Sequence, residues 1–389
     1  MATKLWTLHF MRICLANLLL FLSFYMLCPT LPLVMAARLG VSVCQTGTMF
    51  LLFMMGMFCI GPFQGYLVDA YKRQHVCMFS FGVMLVATVG YAFVRDFTQL
   101  VMLCIVQGIA FGIATTSGIT LAIDVTNTSF RSAGNVVFSW ATRLGMLMGA
   151  AVGVFCFLEY GFRVLLYASV AAGLLGIYFI SRVYVPFRAP IGTKLISNDR
   201  FLLFRGWVPA VNLMLIAVIP GILFPILFQS TSSIYMYGIS VPFWALVVIG
   251  FLISAVLIKY LFHGEHKKMW LQIVFGLVLM IGAMSLLIDP EEGKTISAGI
   301  LLGLGLGLVI PEFLMMFVKL SEHCQRGTAN TSNLLAGEVG VSVGIATVCY
   351  LSVTASETVA YQVGMLVAII ALAFFVLVTF PYYKSKRVR

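Results

Sequence analysis

The sequence predicts an all-α integral membrane protein, with twelve transmembrane helices in two six-helix bundles related by a pseudo-two-fold axis along the membrane normal. Three observations predict it. The composition is too apolar for water, the apolar residues fall into twelve runs long enough to cross a bilayer, and the second half of the chain repeats the first. Of 389 residues, 61% are hydrophobic and 10% charged, with a mean hydropathy of +1.06. A soluble domain carries about 25% charged residues, so the exterior of this chain is expected to face lipid.

A helix needs roughly 20 apolar residues to span the hydrocarbon core. Reading apolar runs between polar breaks gives spans at 10–35, 43–66, 76–94, 99–123, 133–157, 163–183, 207–229, 242–262, 269–288, 295–318, 331–354 and 358–381. The runs lack the period-two alternation of barrel strands. The first run is read as a span and not a signal peptide, because it exceeds the roughly 7–15 residues of a signal core. The formal charge of +11 does not point to nucleic acid, which needs basic residues gathered on one face; here they sit between apolar runs. With the N-terminus inside, 19 Lys and Arg fall on cytoplasmic segments and 4 on outer ones, the asymmetry expected of membrane topology. Both termini are therefore expected in the cytoplasm, and a bacterial inner (plasma) membrane is the expected location. The domains read as 1–184 and 207–389, joined by a basic linker at 185–206.

A shift of 195 residues aligns Arg131 with Arg326, Asn135 with Asn330, Ala141 with Ala336, Gly145 with Gly340, Gly149 with Gly344 and Ala151 with Ala346, six identities in 23 positions. It also pairs Gly108 with Gly303, Gly112 with Gly307 and Asn17 with Asn212. Each half holds six spans, so the halves run in the same direction, as in parallel repeats that enclose a central cavity opening to either side. That architecture points to transport.

Residues 65–73 read G-Y-L-V-D-A-Y-K-R. This resembles the G-x-L-x-D-x-x-x-R signature of the major facilitator superfamily, with Gly65, Asp69 and Arg73 in place and Ala70 where a basic residue is usual. The resemblance implies a latch in which Asp69 contacts a helix end and an arginine. In span four, Leu100, Gln107 and Gly108 match the l-x-x-x-R-x-x-q-G pattern, but its arginine, associated with proton coupling, is Cys104 here. Span five carries Gly145, Gly149 and Gly153, similar to the antiporter motif G-x-x-x-G-P-x-x-G-G with Ala150 for proline and Val154 for the last glycine. This resembles the drug:proton antiporter branch, although small residues every four positions also serve close helix packing.

Arg143 and Glu338 occupy equivalent repeat positions, each 12 residues past a basic edge residue, or about 18 Å into the membrane. An ionised side chain at that depth costs about 2.5–3.5 kcal/mol on insertion scales and marks a functional site by default. Glu338 is a candidate proton or cation site, and Arg143 a candidate site for a substrate anion or a group that holds a carboxylate charged; structural bonding between the halves is the alternative for both. In the superfamily, spans five and eleven usually meet spans eight and two, so the resemblance does not require a direct Arg143–Glu338 salt bridge. Glu312, after Pro311, is a further candidate carboxylate. Asn17 and Asn212 mark the first and seventh spans, which line the cavity in the superfamily; Gln107 and Tyr25, with Phe24, complete the candidates.

The expected function is secondary active transport by alternating access, as proton-coupled efflux of small amphipathic organic compounds. Uptake of a sugar, nucleoside or organic acid is the alternative within the class, and a non-transporting membrane sensor or lipid scramblase the alternative outside it. The sequence holds no G-x-x-x-x-G-K-[ST] loop, G-x-S-x-G or H-E-x-x-H, so no enzyme and no cofactor is expected. The nine cysteines form no C-x-x-C pair, and His263 and His266 read as a solvated loop beside Lys267 and Lys268, so no metal is expected. The implied partners are a small-molecule substrate, the proton and the lipid bilayer, with the chain working as a monomer.

Overall fold

The computed structural model describes residues 5–185, 195–229, 234–236, 239–261, 269–322 and 325–387. The His263–His266 reading, and residues 186–194 of the expected linker, lie outside the described residues. The helices are α1 (Leu8–Tyr25), α2 (Leu31–Leu39), α3 (Val43–Gly47), α4 (Met49–Ala70), α5 (Arg73–Gly90), α6 (Phe97–Asp124), α7 (Arg131–Ser181), α8 (Trp207–Gln229), α9 (Phe243–Leu261), α10 (Met269–Ile288), α11 (Glu292–Leu320), α12 (Arg326–Thr354), α13 (Glu357–Phe374) and α14 (Phe380–Lys386). A three-residue ladder, β1 (Ile234–Met236) with β2 (Ile239–Val241), lies between α8 and α9.

Among the described residues, ten helical segments are long and apolar enough to cross a membrane. One of them, α7, has 51 residues and would run about 76 Å if straight, more than twice the roughly 30 Å core. It turns back at Gly161, where φ 80 and ψ 178 require a residue without a Cβ. It therefore supplies spans five and six. The twelfth span is α5, an 18-residue helix whose apolar stretch is shortened by its first turn, Arg73-Gln74-His75. Local signals set the ends: Asp96 caps α6 by accepting from the Gln99 N–H at 2.8 Å, and Ser42 and Gln45 close a capping box on α3.

The expected first span is not one rod. α1 ends at Tyr25 and the chain re-forms as α2 after a turn containing Pro29, with Pro32 in the first turn of α2.

The two halves pack alike. α1 lies on the first part of α7, and α8 on α12; α4 packs on α6, and α9 on α11; α5 packs on α6 and α7, and α10 on α11 and α13. The halves meet where α7 touches α9 and α11, and where α12 touches α3 and α4. The exterior carries Phe79, Val86, Phe93, Tyr167, Leu174 and Leu377, the apolar surface a bilayer would cover.

The shift is not uniform. Gly145 packs on Leu18 and Gly340 on Met214, so the first and seventh spans correspond at 196. A one-residue slip turns a helix face by about 100°, and Asn17 and Asn212 accordingly point in different directions.

Candidate functional site

α7 and α12 start at equivalent positions and place Arg143 and Glu338 twelve residues in. Arg143 Nη1 stands 3.5 Å from Glu338 Oε1, with both side chains about 95% buried or more. The direct bridge that the resemblance did not require is formed. Two residues related by the repeat can touch only where the pseudo-two-fold axis passes between them, so this pair lies on the axis, one member from each half. Tyr25, at the end of α1, donates its hydroxyl to Glu338 Oε2 at 2.6 Å. Its ring sits between Phe21 (6.1 Å) and Phe224 (5.6 Å), and Phe224 stacks on Trp244 at 4.5 Å. Arg143 Nη1 also reaches Met146 Sδ at 3.8 Å.

At an effective dielectric constant near 20, charges 3.5 Å apart attract by about 4–5 kcal/mol. Removing each ion from water costs several kcal/mol. The two terms are of similar size, so the pair is expected to contribute little net stability. Gly337 makes the arrangement possible, because a Cβ there would overlap the Arg143 guanidinium.

Beside the pair, towards the end of the molecule that carries Asp69, lies a cavity of about 20 Å3, lined by Ile119, Asn135, Phe138, Ser139, Thr142, Arg143, Leu314, Asn330, Asn333 and Leu334, room for about one water. Asn135 Nδ2, Asn330 Oδ1 and Asn333 Oδ1 are buried without a hydrogen-bond partner. Buried polar atoms are rarely left so, and these three belong to side chains only 4–6% exposed. The sequence singled out Asn135 and Asn330 only as repeat identities and did not single out Asn333 or Gly337. The signal available was a pair of repeat-matched asparagines, each eight residues, or just over two turns, before Arg143 or Glu338.

The other candidates are elsewhere. Asn17 donates to Thr142 Oγ1 at 2.7 Å and so braces a cavity wall. Asn212 turns to α13 and the π-helical segment that follows it, donating to Ala371 O (3.3 Å) and Thr379 Oγ1 (2.9 Å). Gln107 stays inside the first bundle, accepting from Tyr91 OH at 2.6 Å and donating to Thr88 Oγ1 at 3.0 Å, with Cys104 3.4 Å from the Tyr91 hydroxyl. Glu312 is buried in α11 on a separate, larger groove with Trp140, Val136, Ile258, Gln272 and Pro311. Gly145, Gly149 and Gly153 press on the carbonyls of Leu18, Leu22 and Met26. That contact explains the glycine run by helix packing alone.

Asp69 and Asp124 end α4 and α6, where the helix dipole disfavours negative charge. Arg73 pairs with both, standing 3.4 Å from Asp69 Oδ1 and in direct contact with Asp124. Arg200, from the linker, also pairs with Asp69 and lies across Gly65. The linker is fastened to both halves: Ser197 N donates to Pro62 O (3.0 Å), Leu203 N to Ser332 Oγ (2.8 Å) and Thr328 Oγ1 to Arg200 O (3.2 Å). The helix end that the resemblance implied for Asp69 is thus reached through Arg200. At the opposite end, Gly47 sits against Cys349.

Two parallel six-helix bundles around an axial ion pair and a buried polar cavity define a membrane transporter fold. The chain belongs to the Major Facilitator Superfamily, whose pattern matches residues 13–345; it is a secondary transporter and, at the level of the family, not an enzyme. No curated protein matches the chain significantly. Among solved structures it is similar in fold to the nucleoside transporter NupG, as a point mutant (TM-score 0.69, 13% identity, 95% of this chain and 100% of that one). It is likewise similar to the human organic anion transporter MFSD10, or TETRAN (0.64, 17%, 94% and 98%). A third similar structure is a point mutant of the peptide transporter POT in complex with alafosfalin (0.71, 12%, 98% and 96%).

Proposed function

We propose that this chain is a proton-coupled transporter working by alternating access, in which Glu338 carries the proton and Arg143 receives the cargo. The observation that carries this reading is the buried Arg143–Glu338 contact on the axis, with Tyr25 on the second carboxylate oxygen. A proton arriving at Glu338 removes the charge that holds Arg143, and the neutral carboxyl keeps its bond to Tyr25. The freed guanidinium then needs an anion, which an anionic cargo supplies. Proton and anion enter together, and the ion pair re-forms once both have left. This supports symport of an organic acid over the other uptake cargoes. The charge asymmetry of Lys and Arg supports cytoplasmic termini.

A second reading, export of amphipathic compounds in exchange for protons, is favoured by one observation, the largely apolar groove around Trp140, Val136 and Ile258 with Glu312 on its wall. The glycine run adds nothing to it, being used in packing.

The test is uptake into liposomes holding the full chain, with labelled organic acids, nucleosides, sugars and lipophilic cations under an imposed pH difference. Symport gives accumulation on the alkaline side, and exchange gives accumulation on the acid side. Glu338→Gln should abolish pH-driven accumulation while leaving solute-for-solute exchange. Unchanged pH-driven accumulation in that variant would remove Glu338 from the coupling step.

A further inference from the structure

We infer that a groove between α5 and α6 seats one acyl chain of an anionic phospholipid, drawn from the leaflet at the linker-bearing end, with the phosphate of its headgroup on Lys72 and His75. The inference is independent of the coupling reading above. The groove holds about 480 Å3, within the size range of ligand sites. Its walls are apolar: Val76, Phe79 and Val83 come from α5, and Val106, Ile109 and Ile113 from α6. Phe79 is 76% exposed and Val106 43%, so the groove opens outward, on the surface a bilayer covers.

Depth and charge select the occupant. From His75 to Val83 the groove follows eight residues of α5, about 12 Å along the axis. One leaflet of a roughly 30 Å core is about 15 Å deep. The groove therefore runs from the membrane surface to near the middle, the reach of a single chain from one side. Its surface end is formed by Tyr71 and His75, the first an aromatic of the kind that gathers at the interface. Lys72, between them, is exposed, as is His75. Among the described residues, neither makes an ion pair. Arg73, the next cation, is held by Asp69 and Asp124. Basic groups at the N-terminal end of a helix oppose its dipole, so Lys72 and His75 bring α5 no stability of their own. Each can give an N–H to a phosphate oxygen, and basic residues beside a membrane attract its anionic lipids. A zwitterionic lipid fills the same groove but sets its own ammonium against Lys72.

The test places the purified full chain in phosphatidylcholine vesicles with a trace of phosphatidylglycerol bearing a diazirine near its chain end, and maps the photo-crosslinks by mass spectrometry. Crosslinks should concentrate on Val83 and Val106. Unlabelled phosphatidylglycerol should displace them about fivefold better than phosphatidylcholine does, the contribution of one basic residue at a membrane surface. Lys72→Gln combined with His75→Gln should remove that preference and leave the crosslinks in place. Val106→Trp, which fills the groove from an exposed position, should lower crosslinking at Val83 at least about tenfold, while labelling of Leu174 and Leu377 on the rest of the exterior stays unchanged. Crosslinks spread evenly over the apolar exterior would overturn the inference, leaving only a general lipid belt. Equal displacement by the two lipids would overturn it as well, as would a preference that survives the double glutamine variant. The competition on the unaltered chain decides the matter even where a variant fails to fold.

Discussion

Two buried polar clusters can be compared within the same membrane interior. In the first bundle, Gln107, Tyr91 and Thr88 form a closed set in which the Gln107 amide has partners on both of its atoms. Near the axis, Asn135, Asn330 and Asn333 each have an amide atom without a protein partner, around a water-sized cavity next to a charge pair. Both clusters are equally hidden from solvent, so burial does not separate them. Satisfaction does. A closed set rigidifies a bundle, whereas an open set carries a desolvation cost that only a ligand or water can offset.

Five substitutions, two of them combined, test that contrast and the fastening of the halves. The largest effect is expected from breaking the axial pair. Arg143→Leu should cost about 3–5 kcal/mol of stability by stranding Glu338, and adding Glu338→Leu should restore most of it without restoring transport, as thermal unfolding and liposome uptake would show. Next is Tyr91→Phe, which leaves Gln107 Oε1 without its donor and should cost about 1–3 kcal/mol in the same melt; a neutral result would mean the first cluster is not closed. Arg200→Ala removes a half-exposed pairing with Asp69 and should cost no more than about 1 kcal/mol. Its readout is conformational: cysteine labelling at the linker-bearing end should rise as the fastening to α4 loosens. The smallest effect on stability is expected at Asn333→Leu, within about 0.5 kcal/mol or stabilising in the same melt.

The fold was legible because its causes are local and periodic. Apolar run lengths, basic loop residues and the 195 shift gave span count, helical class and repeat. The broken first span was marked by Pro29 and Pro32. The site was legible only in part. Arg143 and Glu338 were visible as costly groups at mid-membrane depth and Tyr25 as an aromatic candidate for substrate contact, but their meeting depends on the Arg143 side chain lying against α12, which Gly337 permits and no spacing reveals. Asn212 was misplaced relative to Asn17 because loops absorb a one-residue slip that sequence alignment at a single shift does not see. Gln107 matched a motif whose arginine is missing, and with Cys104 in that place the glutamine turns to Tyr91 instead of the cavity. Arg200 was counted as one more basic linker residue, since its partner lies 131 positions away. Glu312 was recognised as buried but belongs to the neighbouring groove.

An ion pair contributed half by each bundle and seated on their symmetry axis occupies the fulcrum of a see-saw. When the bundles tilt in opposite senses, points far from the pivot sweep through many ångströms while the pivot barely travels. The same contact can therefore persist in states facing either side, and the gate at each end can open without it.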